Sequence, residues 1–191
     1  MAGITRMGEP TMRITDSRYD RDRQRLAVAH RLIVHEARTQ TIRQATGLSG
    51  DRIRRLYRDY FKSQPALAVR RRRGKSPRQM AFFWRSPSHE LQAATLCALL
   101  RQCGFLGGPQ HLYRPTLEET GRFCDVYETF QILCPATMIT FEHAWHLLHV
   151  LARLDEFVPD RCPDCRGLWI RDTLDLLPDN CPACRTAPPA G

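Results

Sequence analysis

The sequence predicts a mainly α-helical protein: a helical body containing a helix-turn-helix-like element, followed by a small segment organised by four cysteines. Three observations predict it. Apolar residues recur at helical spacing through most of the chain. Gly47-Leu48-Ser49 separates two short helical stretches with the residues a tight interhelical turn needs. Near the end, Cys162-Pro163-Asp164-Cys165 is followed, fifteen residues later, by Cys181-Pro182-Ala183-Cys184.

Residues 1–16 carry Gly8 and Pro10 among mixed residues and read as a flexible start. From Ser17 a helix is expected, with Leu26, Ala29, Leu32, Ile33 and Glu36 on one side, ending near Ala37-Arg38. The stretch from Thr39 is predicted to be a short helix stopped by Gly47, which tolerates the left-handed conformation. Leu48 should plug the turn, and Ser49 should cap the second helix. There Ile53, Leu56, Tyr57, Tyr60 and Phe61 share one face, while Arg52, Arg54, Arg55, Arg58 and Lys62 fall outside it.

Periodicity then lapses over 63–80. Four successive arginines, Arg70 to Arg73, repel one another and predict an exposed loop or arm. Phe82-Phe83-Trp84 is expected to close a core. Ser86-Pro87 opens a helix reaching about Cys103, with Leu91, Ala94, Thr95, Ala98, Leu99 and Gln102 as its stripe and Gly104 as its stop. A further helix spans Leu117 to Leu133, lined by Phe123, Val126, Tyr127, Phe130 and Leu133. After Pro135, Thr140 caps a last helix lined by Ala144, Leu147, Leu148, Leu151 and Leu154. Its His143, His146 and His149 advance by about 300° per step around the axis and are expected on its polar face, not as ligands.

The two CxxC pairs at this separation predict a tetrahedral site for one structural Zn²⁺, with Cys162, Cys165, Cys181 and Cys184 as ligands. Four thiolates saturate the ion and leave no position for substrate. Two disulfides are the alternative in a secreted chain. The N-terminus has no apolar stretch after its basic residue, so a cytoplasmic protein with reduced thiols is expected. Cys97, Cys103, Cys124 and Cys134 then read as small buried hydrophobes. The expected organisation is 1–16 flexible, 17–158 a helical body, 159–187 a zinc-ribbon-like segment in which Leu168, Trp169, Ile170, Leu174, Leu176 and Leu177 pack around the site or against the body, and 188–191 a tail.

With 42% hydrophobic and 26% charged residues the chain is globular, and no run of eighteen apolar residues suggests a membrane span. Its net charge of +9 is unevenly spread: residues 1–80 hold 20 Arg+Lys against 7 Asp+Glu (+13), residues 81–191 hold 9 against 13 (−4). Such a split suggests that one half meets a polyanion. An apolar-backed helix with an arginine front suits the major groove of double-stranded DNA. The candidate contacts are Arg43, Arg52, Arg54, Arg55 and Arg58, with Arg71, Arg72 and Arg73 of the arm adding affinity for the backbone. No acidic pair, nucleophile elbow, glycine-rich phosphate loop or HExxH appears, so binding is expected and not catalysis.

In order, the basic helix-turn-helix near 39–62, the aromatic joint at 82–84, the helix bearing Cys97, the Leu-rich helix running into Leu154-Asp155-Glu156-Phe157 and the cysteine quartet resemble the FlhC family of flagellar transcriptional activator subunits. The stretch Leu48 to Tyr57 is similar to that family's signature around its DNA-reading helix, and the resemblance covers roughly 20–185. It implies a zinc ion on the four cysteines, assembly with FlhD into a ring-shaped hetero-oligomer, binding upstream of flagellar operons and recruitment of RNA polymerase. The alternative expectation is a zinc-ribbon adaptor that binds RNA or protein without operator specificity.

Overall fold

Side-chain caps open α-helices at Ser49, Ser86, Thr116 and Thr140, and left-handed residues close two of them at Glu36 and Gly47. The structure, a computed structural model, describes residues 14–61, 69–72, 74–106, 115–153, 156–175 and 180–186. The first helix, α1 (Ile14–Val34), begins before the expected Ser17 and ends earlier than Ala37. It stops because Glu36 turns left-handed, with φ 57°. Ala37 N–H then donates to the Leu32 carbonyl and Glu36 N–H to the Ile33 carbonyl, both at 2.9 Å, a Schellman-type ending.

The helix-turn-helix-like element forms as the sequence requires. Helix α2 (Thr39–Thr46) is closed by Gly47 at φ 70°, whose N–H donates to the Arg43 carbonyl. Leu48 is buried under the turn. Ser49 Oγ accepts the Arg52 N–H at 3.3 Å and opens α3 (Gly50–Leu56). The expected apolar face continues only to Tyr57. Residues Tyr57–Phe61 form a π turn, which advances less per residue around the axis than an α-helix does. The phase therefore slips, and Tyr60 is 53% exposed where the helical pattern placed it inward. Lys62 lies outside the described residues.

A 3₁₀ turn (Met80–Trp84) buries Phe83 in the core as expected. Ser86 caps α4 (Pro87–Gln102), and Gly104 at φ 76° follows it. The expected stripe of α4 is only partly right: Ala94 is buried and Leu99 packs against the core, but Leu91 is 58% exposed, and the face to the main core is Ala93, Leu96, Cys97 and Leu100. That face has i, i+3, i+4, i+7 spacing and includes Cys97, buried as expected. Helix α5 (Leu117–Leu133) starts at a capping box: Thr116 Oγ1 accepts the Glu119 N–H at 3.1 Å, and Glu119 Oε2 accepts the Thr116 N–H at 2.7 Å. Phe123, Val126, Tyr127 and Phe130 are buried as expected; Leu133, at the helix end beyond the core, is exposed.

Helix α6 (Phe141–Leu151) is capped by Thr140, with His143 reaching back to the Thr140 N–H at 3.3 Å. Ala144, Leu147, Leu148 and Leu151 are buried; Leu154 lies outside the described residues. This helix has no solvated polar face. His143, His146 and His149 are half-buried, because neighbouring segments cover the side the sequence assigned to water. Cys97 and Cys124 are buried, Cys134 is half-buried, and Cys103, one residue past α4, is exposed.

After α6 the chain forms an antiparallel hairpin, β1 (Phe157–Arg161) with β2 (Leu168–Asp172), in which Pro159 opposes Ile170 and Asp160 opposes Trp169. The hairpin begins two residues before the expected 159 boundary. It packs on the second face of α4. Ala94, Cys162, Trp169 and Cys181 form their own buried cluster, while Ile170 joins the main core. Leu174 is exposed because it lies in the turn after β2, and Leu176 and Leu177 lie outside the described residues. The Trp84 and Phe157 rings, 5.1 Å apart, and an Arg185–Glu90 ion pair at 2.8 Å fasten this segment to the body. Among the described residues no helix is long and apolar enough to cross a membrane.

Candidate metal centre and basic cleft

Both cysteine pairs are presented by tight local turns. In the first, Arg166 N–H donates to the Cys162 carbonyl and Cys162 N–H to the Gly167 carbonyl, both at 2.9 Å, closing the hairpin around Cys165. Arg166 adopts φ 60°, a conformation that favours glycine. In the second, α7 (Pro182–Thr186) starts directly after Cys181 and places Cys184 in its first turn. Asn180 Nδ2 donates to Asp164 Oδ2 at 2.8 Å and links the two turns.

The result is that one ligand atom from each of Cys162, Cys165, Cys181 and Cys184 lies within 4.8 Å of every other. Cys165 Sγ and Cys181 Sγ are 3.6 Å apart. A tetrahedron with metal–sulfur bonds of about 2.3 Å has edges of roughly 3.8 Å, so the four sulfurs fit a single ion. Backbone N–H groups already point at the sulfurs: Gly167 to Cys165 at 3.4 Å, Cys181 to Cys162 at 3.4 Å and Cys184 to Cys181 at 3.5 Å. Such donors favour thiolates. The Cys181 N–H is the main reason the Cys162 thiol is drawn down to about 6. Hydrogen bonds to Cys165 and Cys181 push Cys184 up to about 12, because neighbouring sulfurs resist a second charge. None of the eight cysteines forms a disulfide. Away from the site, burial pushes Cys97 and Cys124 up to about 12, which leaves both thiols inert.

The second feature is a cleft of about 1230 Å³. The α1–α2 junction and α2 contribute Arg38 and Arg43, α3 contributes Arg54, the segment 71–79 contributes Arg71, Arg72, Lys75 and Arg78, and Arg85 completes the wall. Eight cations thus line it, and among its described lining residues there is no carboxylate. Its aromatic end is a parallel stack of Phe82 on His143, with centroids 3.7 Å apart, and the Arg85 guanidinium lies 5.1 Å from the Phe82 centroid. Burial above all, then Arg72 and Arg85, lowers His143 to about 4, so its ring is neutral near pH 7.

Four of the eight arginines that the sequence nominates meet in this cleft: Arg43, Arg54, Arg71 and Arg72. Arg54 also pairs with Asp51 and Arg72 with Glu36. The other described ones do not line it. Arg52 pairs with Asp22 of α1 at 3.5 Å, Arg58 lies beside Asp59 at 3.4 Å, and Arg55 is exposed on α3. Arg73 lies outside the described residues. Sequence reasoning missed Arg38, Lys75, Arg78 and Arg85 as partners of the helix-turn-helix. For Arg38, Lys75 and Arg78 the only signal was the positive balance of residues 1–80, which names no site; Arg85 falls in the half of net −4 and had none.

These two features define a mainly helical protein with a four-cysteine metal-compatible cluster and a separate cationic cleft built around a helix-turn-helix-like element. Compared with protein-family models and with curated proteins, the chain matches none.

Proposed function

We propose that the chain is a DNA-binding subunit of a transcriptional activator of the FlhC kind, working in the cytoplasm with a FlhD-like partner. In this reading it binds upstream of flagellar operons and recruits RNA polymerase. The observation that carries the proposal is the cleft lined, among the described residues, by eight cations and no carboxylate, drawn mainly from both helices of the helix-turn-helix-like element and from the basic arm. Concentrated arginine suits phosphates and guanine edges. Arg55 and Arg58, exposed on α3 and the turn after it, remain candidates for base contacts, while the cleft holds the backbone.

The ion we assign to the four cysteines is Zn²⁺, which takes four thiolates tetrahedrally and leaves no open position. Its role is structural: it closes a hairpin whose own buried cluster is only Ala94, Cys162, Trp169 and Cys181. The partner face we assign to the less basic half, where Ile132 and Leu133 at the end of α5 and Met138 in the loop beyond are each exposed.

The test is duplex binding at several salt concentrations. Neutralising about six phosphates gives a slope near −5 in log K against log[salt], at roughly 0.9 per contact. Arg54→Ala is expected to weaken binding and flatten that slope by about 1. Arg55→Ala should weaken binding to a cognate site more than to random duplex. A flat salt response would argue that the basic half is not a nucleic-acid surface and would favour an adaptor whose partner is protein.

A further inference from the structure

The turn after α1 carries glutamate where glycine is preferred. Glu36, at φ 57°, occupies the left-handed position of the α1 ending, a strained place for any residue with a side chain. Strain at a single well-defined residue points to what its side chain does. Both carboxylate oxygens are committed to the basic arm. Oε1 accepts the Arg70 backbone N–H at 3.2 Å, and Oε2 accepts Arg72 Nε at 2.7 Å. Between those two anchors, Arg71 lies against the helix-turn-helix: its Nη2 is 3.5 Å from Thr39 Oγ1, and its guanidinium is 5.5 Å from the Tyr57 ring centroid. Arg71 and Arg72 both line the cleft.

We propose that Glu36 is a positioning residue for nucleic-acid binding: an acid that raises affinity for a polyanion by pinning the arginine arm along the cleft. The inference rests on the nucleic-acid reading given above. Four successive arginines repel one another and would otherwise spread over many conformations. Holding two of them before the ligand arrives removes that ordering from the binding step. The contact engages Arg72 through Nε and leaves its terminal nitrogens for a phosphate.

The proposal makes a prediction of unusual sign. Removing a negative charge near a phosphate-binding surface should tighten binding if charge alone mattered. If Glu36 positions the arm, removing it should weaken binding instead. The measurement uses the full-length chain and a fluorescent mixed-sequence duplex of about 30 base pairs, long enough to span two to three helical turns. Glu36→Gly suits the left-handed turn, so thermal unfolding should show a chain at least as stable as the wild type. Its affinity should nevertheless fall roughly three- to tenfold through lost preorganisation. Its salt slope should flatten by about 1 to 2, as the contacts of Arg71 and Arg72 are lost. Glu36→Gln removes the same charge but keeps one acceptor, and its affinity should lie between those two. Trypsin should cut after Arg70, Arg71 or Arg72 faster in the glycine variant. Either variant binding as tightly as the wild type or tighter, with an unchanged slope, overturns the inference and leaves DNA binding intact. A wild-type chain that ignores the duplex at low salt overturns the nucleic-acid reading and this inference with it.

Discussion

The cysteine cluster draws all four of its sulfurs from Cys162 to Cys184, whereas the basic cleft gathers side chains from Arg38 to His143. The first is set by two tight turns and depends little on the body for its ligand geometry. The second exists only because α2, α3, the arm and α6 are held beside one another. A site with four interdependent ligands should fail as a unit when one is lost. A cleft of eight dispersed cations should lose affinity in increments.

The largest expected effect tests that contrast directly. Cys162→Ser should abolish stoichiometric metal binding and unfold the hairpin, since thiolate coordination supplies on the order of 10 kcal/mol of apparent folding free energy. Elemental analysis and Trp169 fluorescence would report it, and full metal retention would refute the assignment. Next, Leu147→Ala removes a fully buried side chain of α6 and should destabilise the body by about 2–5 kcal/mol. Metal stoichiometry should be unchanged in native buffer. If denaturation released metal and unfolded the body in one transition, the two regions would form a single cooperative unit.

Acid should act on the body through its histidines. His143 is held at about 4, and His35, His146 and His149 are also lowered, each chiefly by burial. The unfolded chain therefore takes up protons first, near the ordinary value of 6.5. Stability from these groups is complete above that pH and declines as pH falls toward about 4. Denaturant titrations at pH 7 and pH 5, roughly bracketing the upper part of this window, should show the loss. His143→Phe keeps a ring on Phe82 and should flatten the dependence. A comparison in the Cys162→Ser background separates this effect from acid release of metal. The smallest effect concerns Arg166. Arg166→Gly relieves a left-handed residue at the first knuckle while keeping its backbone hydrogen bonds, for a gain of about 0.5 kcal/mol after the entropy of glycine is offset. Thermal unfolding would detect it as a small rise.

Local chemistry was readable from the sequence wherever a few neighbouring residues fix the outcome. Gly47 terminates α2 because it lacks a side chain, and Ser49, Ser86 and Thr140 cap helices through their hydroxyls, as the sequence predicts. The failures have physical causes. Tyr60 turns outward because the chain switches to a π turn, and hydrophobic spacing carries no sign of that switch. The stripe of α4 was only partly right because the helix is covered on two sides: Ala93, Leu96, Cys97 and Leu100 face the main core, while Ala94 packs under the hairpin. The histidines of α6 look solvated when that helix is considered alone, yet Phe82 stacks on His143 and covers part of it.

By itself, then, the sequence determined the helical class, the turn between α2 and α3, and the four-cysteine cluster, because caps, turns and knuckles are governed by interactions within a few residues. The tertiary structure alone decided that the hairpin docks on α4, that Arg38, Lys75, Arg78 and Arg85 join Arg43 and Arg54 in one cleft, and that Glu36 holds the arm. Those relations connect segments tens of residues apart, and packing, not periodicity, brings them together.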